Sequence, residues 1–99
     1  MKPFRFSTPA SDELTEAVRW YETRRTGLGA DFYEAVVRTI ELIQTHPDIG
    51  TLRPGRLPYR HVLVAGFPYQ IMYRMRENDV YVVAVAHASR RPGFWQGRQ

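Results

Sequence analysis

With 99 residues, 43% of them hydrophobic and 13% aromatic, the chain has material for one compact core and hardly a second. No run approaches the roughly 18 to 20 apolar residues of a membrane span, and the start, Met1-Lys2-Pro3-Phe4-Arg5, lacks the apolar centre of a signal peptide; the expectation is a cytoplasmic protein with no membrane association. The absence of cysteine excludes disulfides and thiolate metal sites, and His46, His61 and His87 show no ligand spacing, so neither a metal nor any other cofactor is expected.

The net charge of +4 is spread unevenly. Residues 1–50 hold 6 basic against 8 acidic side chains, whereas residues 51–99 hold 8 against 2. All basic residues of the second half are arginines, planar forks suited to phosphate or carboxylate. That half reads either as a surface for an acidic or nucleic-acid partner or as ordinary solvated charge.

In chain order, Phe4-Arg5-Phe6-Ser7 alternates at period two and predicts a short first strand. Thr8 is the expected helix cap and Pro9 suits a first helical turn. Leu14, Ala17, Val18 and Tyr21 then recur at three- and four-residue spacing, the pattern of an amphipathic helix with an acidic first turn. Trp20 and Tyr21 are adjacent, so one of them must leave the apolar stripe. Gly27-Leu28-Gly29 breaks the helix, and Phe32, Val36, Ile40 and Ile43 predict a second helix running to His46-Pro47, antiparallel to the first. Residues 47–58, rich in proline and glycine, read as an irregular connection.

Three strands are expected next, at about 59–65, 69–76 and 80–86, joined by Gly66-Phe67-Pro68 and Glu77-Asn78-Asp79 into an antiparallel meander. The last is apolar on both alternating sets, so it belongs in the centre of the sheet. The predicted fold is α+β: β-α-α-β-β-β, an antiparallel helix pair packed on a small, mostly antiparallel sheet, followed by a short carboxyl-terminal segment.

Several motifs run through nearly the whole chain: Ala10…Glu13-Leu14…Ala17-Val18…Trp20-Tyr21-Glu22, Gly27-Leu28-Gly29…Phe32, Phe67-Pro68-Tyr69…Ile71…Tyr73 and Ala84-Val85-Ala86-His87…Arg90…Pro92-Gly93…Trp95. In this order and spacing they resemble the RelE/ParE toxins of type II toxin-antitoxin modules, as a single domain over residues 1–99. The resemblance implies the fold already read from periodicity and a cognate antitoxin as partner. Some members of that family are ribosome-dependent mRNA endoribonucleases, and others bind and poison DNA gyrase. The second half here has no lysine, and Pro92-Gly93-Phe94-Trp95 looks closer to the ParE side. The first reading is therefore a ParE-like toxin that binds a target such as gyrase and is neutralised by its antitoxin. Its alternatives are a RelE-like nuclease acting on ribosome-bound mRNA, and a non-toxic module that reaches operator DNA only through the antitoxin.

Metal-free RNA cleavage needs a proton donor and acceptor and cations around the phosphate. For that chemistry His87 is the candidate acid–base, with Arg74 and Arg90 as phosphate clamps. The competing reading has His87 hydrogen-bonding nearby backbone to fasten the carboxyl-terminal segment. Arg60, Arg74, Arg90 and Arg91 are candidates for phosphate or for acidic groups on a partner. Arg53, Arg56 and Arg98 are expected on solvated surface, and Tyr59, Tyr69, Tyr73 and Tyr81 in the core. Trp95 is expected to cover the sheet edge or the helix pair, with an interface as its second reading. For antitoxin contact the candidates are Val62, Val64 and Met72, taken as the outer sheet face, together with Trp95.

Overall fold

The computed structural model describes residues 2–90, 94, 95 and 98. Its elements are β1 (Phe4–Phe6), α1 (Thr8–Arg24), α2 (Leu28–Thr45), β2 (Thr51–Arg53), β3 (Tyr59–Leu63), β4 (Tyr69–Met75) and β5 (Val80–His87). The five strands lie in the order β1-β5-β4-β3-β2, parallel only between β1 and β5. This is the expected α+β arrangement with one strand more. Among the described residues no helix is long and apolar enough to cross a membrane.

Helix α1 is capped one residue earlier than Thr8. The Ser7 hydroxyl accepts from the Ala10 amide at 3.1 Å and donates to the Val83 carbonyl at 3.0 Å, so one side chain starts the helix and ties it to β5. With the helix opening at Thr8, Asp12 and Glu13 fall past its first turn, which carries no acid. Gly27, at φ 90°, turns the chain into α2 in a conformation that favours glycine. The Glu22 carboxylate of α1 then accepts from the amides of Gly27 at 3.0 Å and Gly29 at 2.9 Å, filling the role of the missing side-chain cap.

Two apolar layers flank the sheet. On the helix side Phe32, Val36, Ile40 and Ile43 of α2 and Ala10, Ala17 and Tyr21 of α1 pack against Ile71, Tyr73, Val80, Val82 and Val85. Trp20 is 49% exposed and Tyr21 only 8%, the division their adjacency requires. On the outer side Met72, Tyr81, Val83, Ala84 and Ala86 are covered by Trp95. β5 is thus buried on both faces from Val80 to Ala86 and lies inside the sheet, as expected. Opposite it, Met72 pairs with Ala84 and Tyr73 with Val82, leaving Val83 as an extra residue. This bulge lets Val83 and Ala84 both face outward and reverses the parity of the strand part-way along.

β2 falls inside the segment expected to be irregular. Buried Tyr73 explains it: its hydroxyl donates to the Pro47 carbonyl at 2.7 Å and accepts from the Gly50 amide at 3.1 Å, while Arg60 donates to the Gly50 carbonyl at 2.8 Å. These bonds bring Thr51–Arg53 alongside β3, paired from Thr51↔His61 to Arg53↔Tyr59.

Three expectations about side-chain placement are corrected. Val62 and Val64 belong to the helix-side layer, not the outer face, and Val64 is only 2% exposed. Arg98 is not a solvated cation but is drawn into the fold by Glu13. Trp95 lies over the outer sheet face rather than on the sheet edge or the helix pair.

Candidate functional site

Where β5 ends, α1 and the sheet enclose an open groove of about 630 Å³, lined chiefly by Glu16, Trp20, Tyr21, Tyr69, His87 and Arg90. His87 sits opposite Tyr69 in the β4–β5 ladder, the two rings edge to face with centroids 5.5 Å apart. Its Nδ1 accepts from the Ser89 amide at 3.1 Å and lies 2.8 Å from the Ser89 hydroxyl. A backbone N–H can only donate, so this nitrogen keeps its lone pair and the neutral ring carries its proton on Nε2. His87 therefore presents a donor at Nε2, while its acceptor nitrogen is engaged by the turn that starts the carboxyl-terminal segment. That geometry is the one the fastening role describes.

Burial raises the Tyr69 phenol above its ordinary range, and burial followed by the neighbouring Tyr69 does the same to Tyr21. Both stay neutral hydroxyls near pH 7 and supply no phenolate base.

Of the arginines expected beside His87, Arg90 shares its groove, whereas Arg74 and Arg60 do not converge on it. Arg90 lines the groove with its guanidinium 4.0 Å from the Phe94 ring. Arg74 lies five residues along β4 from Tyr69, roughly 16 Å at the usual strand rise, and on the outer face, 5.3 Å from the Tyr81 ring. Arg60 pairs with Tyr73 on the helix side and spends its fork on the Asp48 and Gly50 carbonyls and the Asp48 carboxylate. Arg91 lies outside the described residues, as do Pro92 and Gly93. Met72, 2% exposed, is covered beneath Trp95. The family described as "ParE toxin of type II toxin-antitoxin system, parDE" matches residues 4–92 of this chain.

The chain belongs to the ParE toxin family.

A solved structure entitled "Chromosomal ParDE TA system from P. aeruginosa" has a similar fold, with a TM-score of 0.73 over 88% of this chain and 96% of that one at 15% identity. No curated protein matches in sequence. The ParE family implies a cognate antitoxin as partner.

Two features of this ParE-family chain escape sequence reasoning. The Arg98 guanidinium grips both carboxylate oxygens of Glu13, at 3.0 and 3.1 Å, and also donates to the Val83 carbonyl at 3.0 Å. Glu13 in turn accepts from the Val85 amide at 3.1 Å. Beyond the short β1, side chains thus stand in for a neighbouring strand along β5. No local motif signals a contact between positions 85 residues apart.

The second feature is the turn between β4 and β5. Arg76 places Nε and Nη2 2.6 and 2.7 Å from the two carboxylate oxygens of Asp79, and Arg5 adds a contact at 3.6 Å. Hydrogen bonding by Arg76 holds the Asp79 carboxyl below its ordinary range. On the outer face, burial and then the nearby Arg53 hold the His61 imidazole below its own.

Proposed function

We propose that this ParE-family chain is the growth-inhibiting half of a type II module, acting by binding a protein target such as DNA gyrase and neutralised by a cognate antitoxin. It makes and breaks no bonds of its own. The observation that carries this reading is the dispersal of the groups a metal-free nuclease would need. His87 has its acceptor nitrogen engaged by Ser89, Arg60 is spent on a loop, and Arg74 lies roughly 16 Å further along β4 on the opposite face, so Arg90 alone of these arginines shares the groove with His87. General acid–base catalysis requires these groups within hydrogen-bond reach of one phosphate. Binding has no such requirement: it needs a surface of defined shape and charge, which a rigid sheet with an arginine-rich half supplies.

Induction of the chain alone in a bacterial host, with the 5′ ends of cellular mRNA mapped during arrest, tests the reading. Growth arrest with intact messages is expected, and the His87→Ala variant arrests growth as the parent does. In-frame cleavage positions in translated messages, lost with His87→Ala, would replace this reading with the nuclease. No arrest at all would leave a module that co-represses its operon through the antitoxin.

A further inference from the structure

Beyond β1, side chains serve the free edge of β5 at Val83 and Val85 but not at the next amide facing the same way. The β1 register stops at Val82, Ser7 and Arg98 donate to the Val83 carbonyl, and Glu13 accepts from the Val85 amide. The next such amide belongs to His87. Ala88 donates to the Pro68 carbonyl at 2.8 Å and Val64 to the Tyr69 carbonyl at 2.8 Å, so Tyr69 turns its backbone toward β3 and exchanges no ladder bonds with His87 opposite it. The His87 N–H therefore points away from β4, and among the described residues it meets no acceptor.

Two further donors stand at this end of the strand. With Nδ1 held by Ser89, the neutral His87 ring carries an N–H at Nε2. The Arg90 guanidinium lies over the Phe94 ring and meets no carboxylate among the described residues. Both residues line the groove of about 630 Å³, a volume typical of small-molecule sites. Its wall is a run of rings in edge contact: Trp20 to Tyr21 at 5.1 Å, Tyr21 to Tyr69 at 5.9 Å and Tyr69 to His87 at 5.5 Å. Of the two acids there, Glu13 is consumed by Arg98 and the Val85 amide, which leaves Glu16. One cation, one free acid and two neutral donors suit a ligand that is mostly apolar and carries a single anionic group, since Glu16 repels a second.

We propose that this groove is a binding site for a small aromatic carboxylic acid, its carboxylate on the His87 amide, the His87 Nε2–H and Arg90, and its ring against Trp20, Tyr21 and Tyr69. Bonds from these donors to a charged acceptor fix the orientation, and edge-to-face contact with the aromatic wall adds apolar burial. Such a site stands or falls independently of the protein target proposed above.

The test titrates the intact, isotope-labelled chain with hydrocinnamate, phenethylamine and propionate while the amide and indole N–H signals are followed by NMR. Hydrocinnamate is expected to saturate with a Kd of about 1 mM and to move the His87 amide and Trp20 indole signals most. Phenethylamine, which has the ring without the carboxylate, and propionate, which has the carboxylate without the ring, bind about tenfold or more weakly. Arg90→Gln, a change at an exposed position, weakens hydrocinnamate about tenfold, whereas Arg38→Gln on the exposed side of α2 leaves it unchanged. Three results overturn the proposal. They are no saturation at about twenty times the expected Kd, phenethylamine binding as tightly as hydrocinnamate, and an affinity for hydrocinnamate unaltered by Arg90→Gln.

Discussion

Gly29 illustrates what single residues decide in this chain. A Cβ there would stand 2.6 Å from the Val18 carbonyl oxygen and 3.1 Å from the Glu22 Cβ, so glycine permits α2 to approach α1 closely enough for Glu22 to cap it. Gly29→Ala is expected to lower stability by about 1–3 kcal/mol, as overpacked sites do, measured by urea unfolding; an unchanged midpoint would mean that the helix pair has slack. Two ionisable residues set the acid response. The lowered Asp79 pKa contributes stability that is full above the unfolded value of about 3.9 and is lost as pH falls through the folded one. The fold likewise favours neutral His61, so the unfolded chain takes up this proton first and stability declines as pH drops below about 6.5 toward the folded value. His61→Gln should reduce the loss of stability as pH falls below about 6.5, and Asp79→Asn the further loss below roughly pH 4, both read from denaturation midpoints.

Elements were legible in proportion to their length and regularity. The two helices show long 3.6-residue stripes, and β3, β4 and β5 are bounded by turn residues, so their order and pairing follow from pattern alone. β2 has three residues between Gly50 and Pro54, too few for any period, and exists through bonds from Tyr73 and Arg60 that are distant in sequence. Face assignment failed for a related reason. Alternation tells which residues share a face but not which face meets the helices, and the bulge at Val83 breaks the alternation within β5, so Val62 and Val64 were expected outside while they pack inside. The Glu13–Arg98 clasp belongs to this scale because it holds the carboxyl-terminal segment, α1 and the open edge of β5 together. With side chains only 19% and 16% exposed, its loss in Arg98→Ala is expected to cost about 2 kcal/mol. Amide exchange at Val85 should accelerate with it; exchange as slow as in the parent would show that Glu13 holds the edge alone.

Taken whole, the molecule separates its features by face and by end. The helix side is a packed core closed by α1 and α2, the groove at the end of β5 collects His87 and Arg90, and the outer face holds Met72 and Tyr81 in one cluster with Trp95. The family was legible in the ordered motifs because they record this packing: Tyr21, Phe32, Phe67 and Tyr69 meet as ring contacts of 4.9–5.9 Å. The candidate site was less legible. Of the expected set His87, Arg74 and Arg90, the groove brings His87 and Arg90 together while Arg74 faces away, because placement depends on strand register and sheet face, and neither is written in local sequence. On the proposed reading the chain acts by contact, so its effect is expected on a purified target in the absence of RNA. The most direct measurement is the supercoiling activity of purified DNA gyrase titrated with this chain. Dose-dependent loss of supercoiling, equal for the parent and His87→Ala, is the predicted result, whereas full gyrase activity at every concentration together with ribosome-dependent cleavage of an added mRNA would contradict the account.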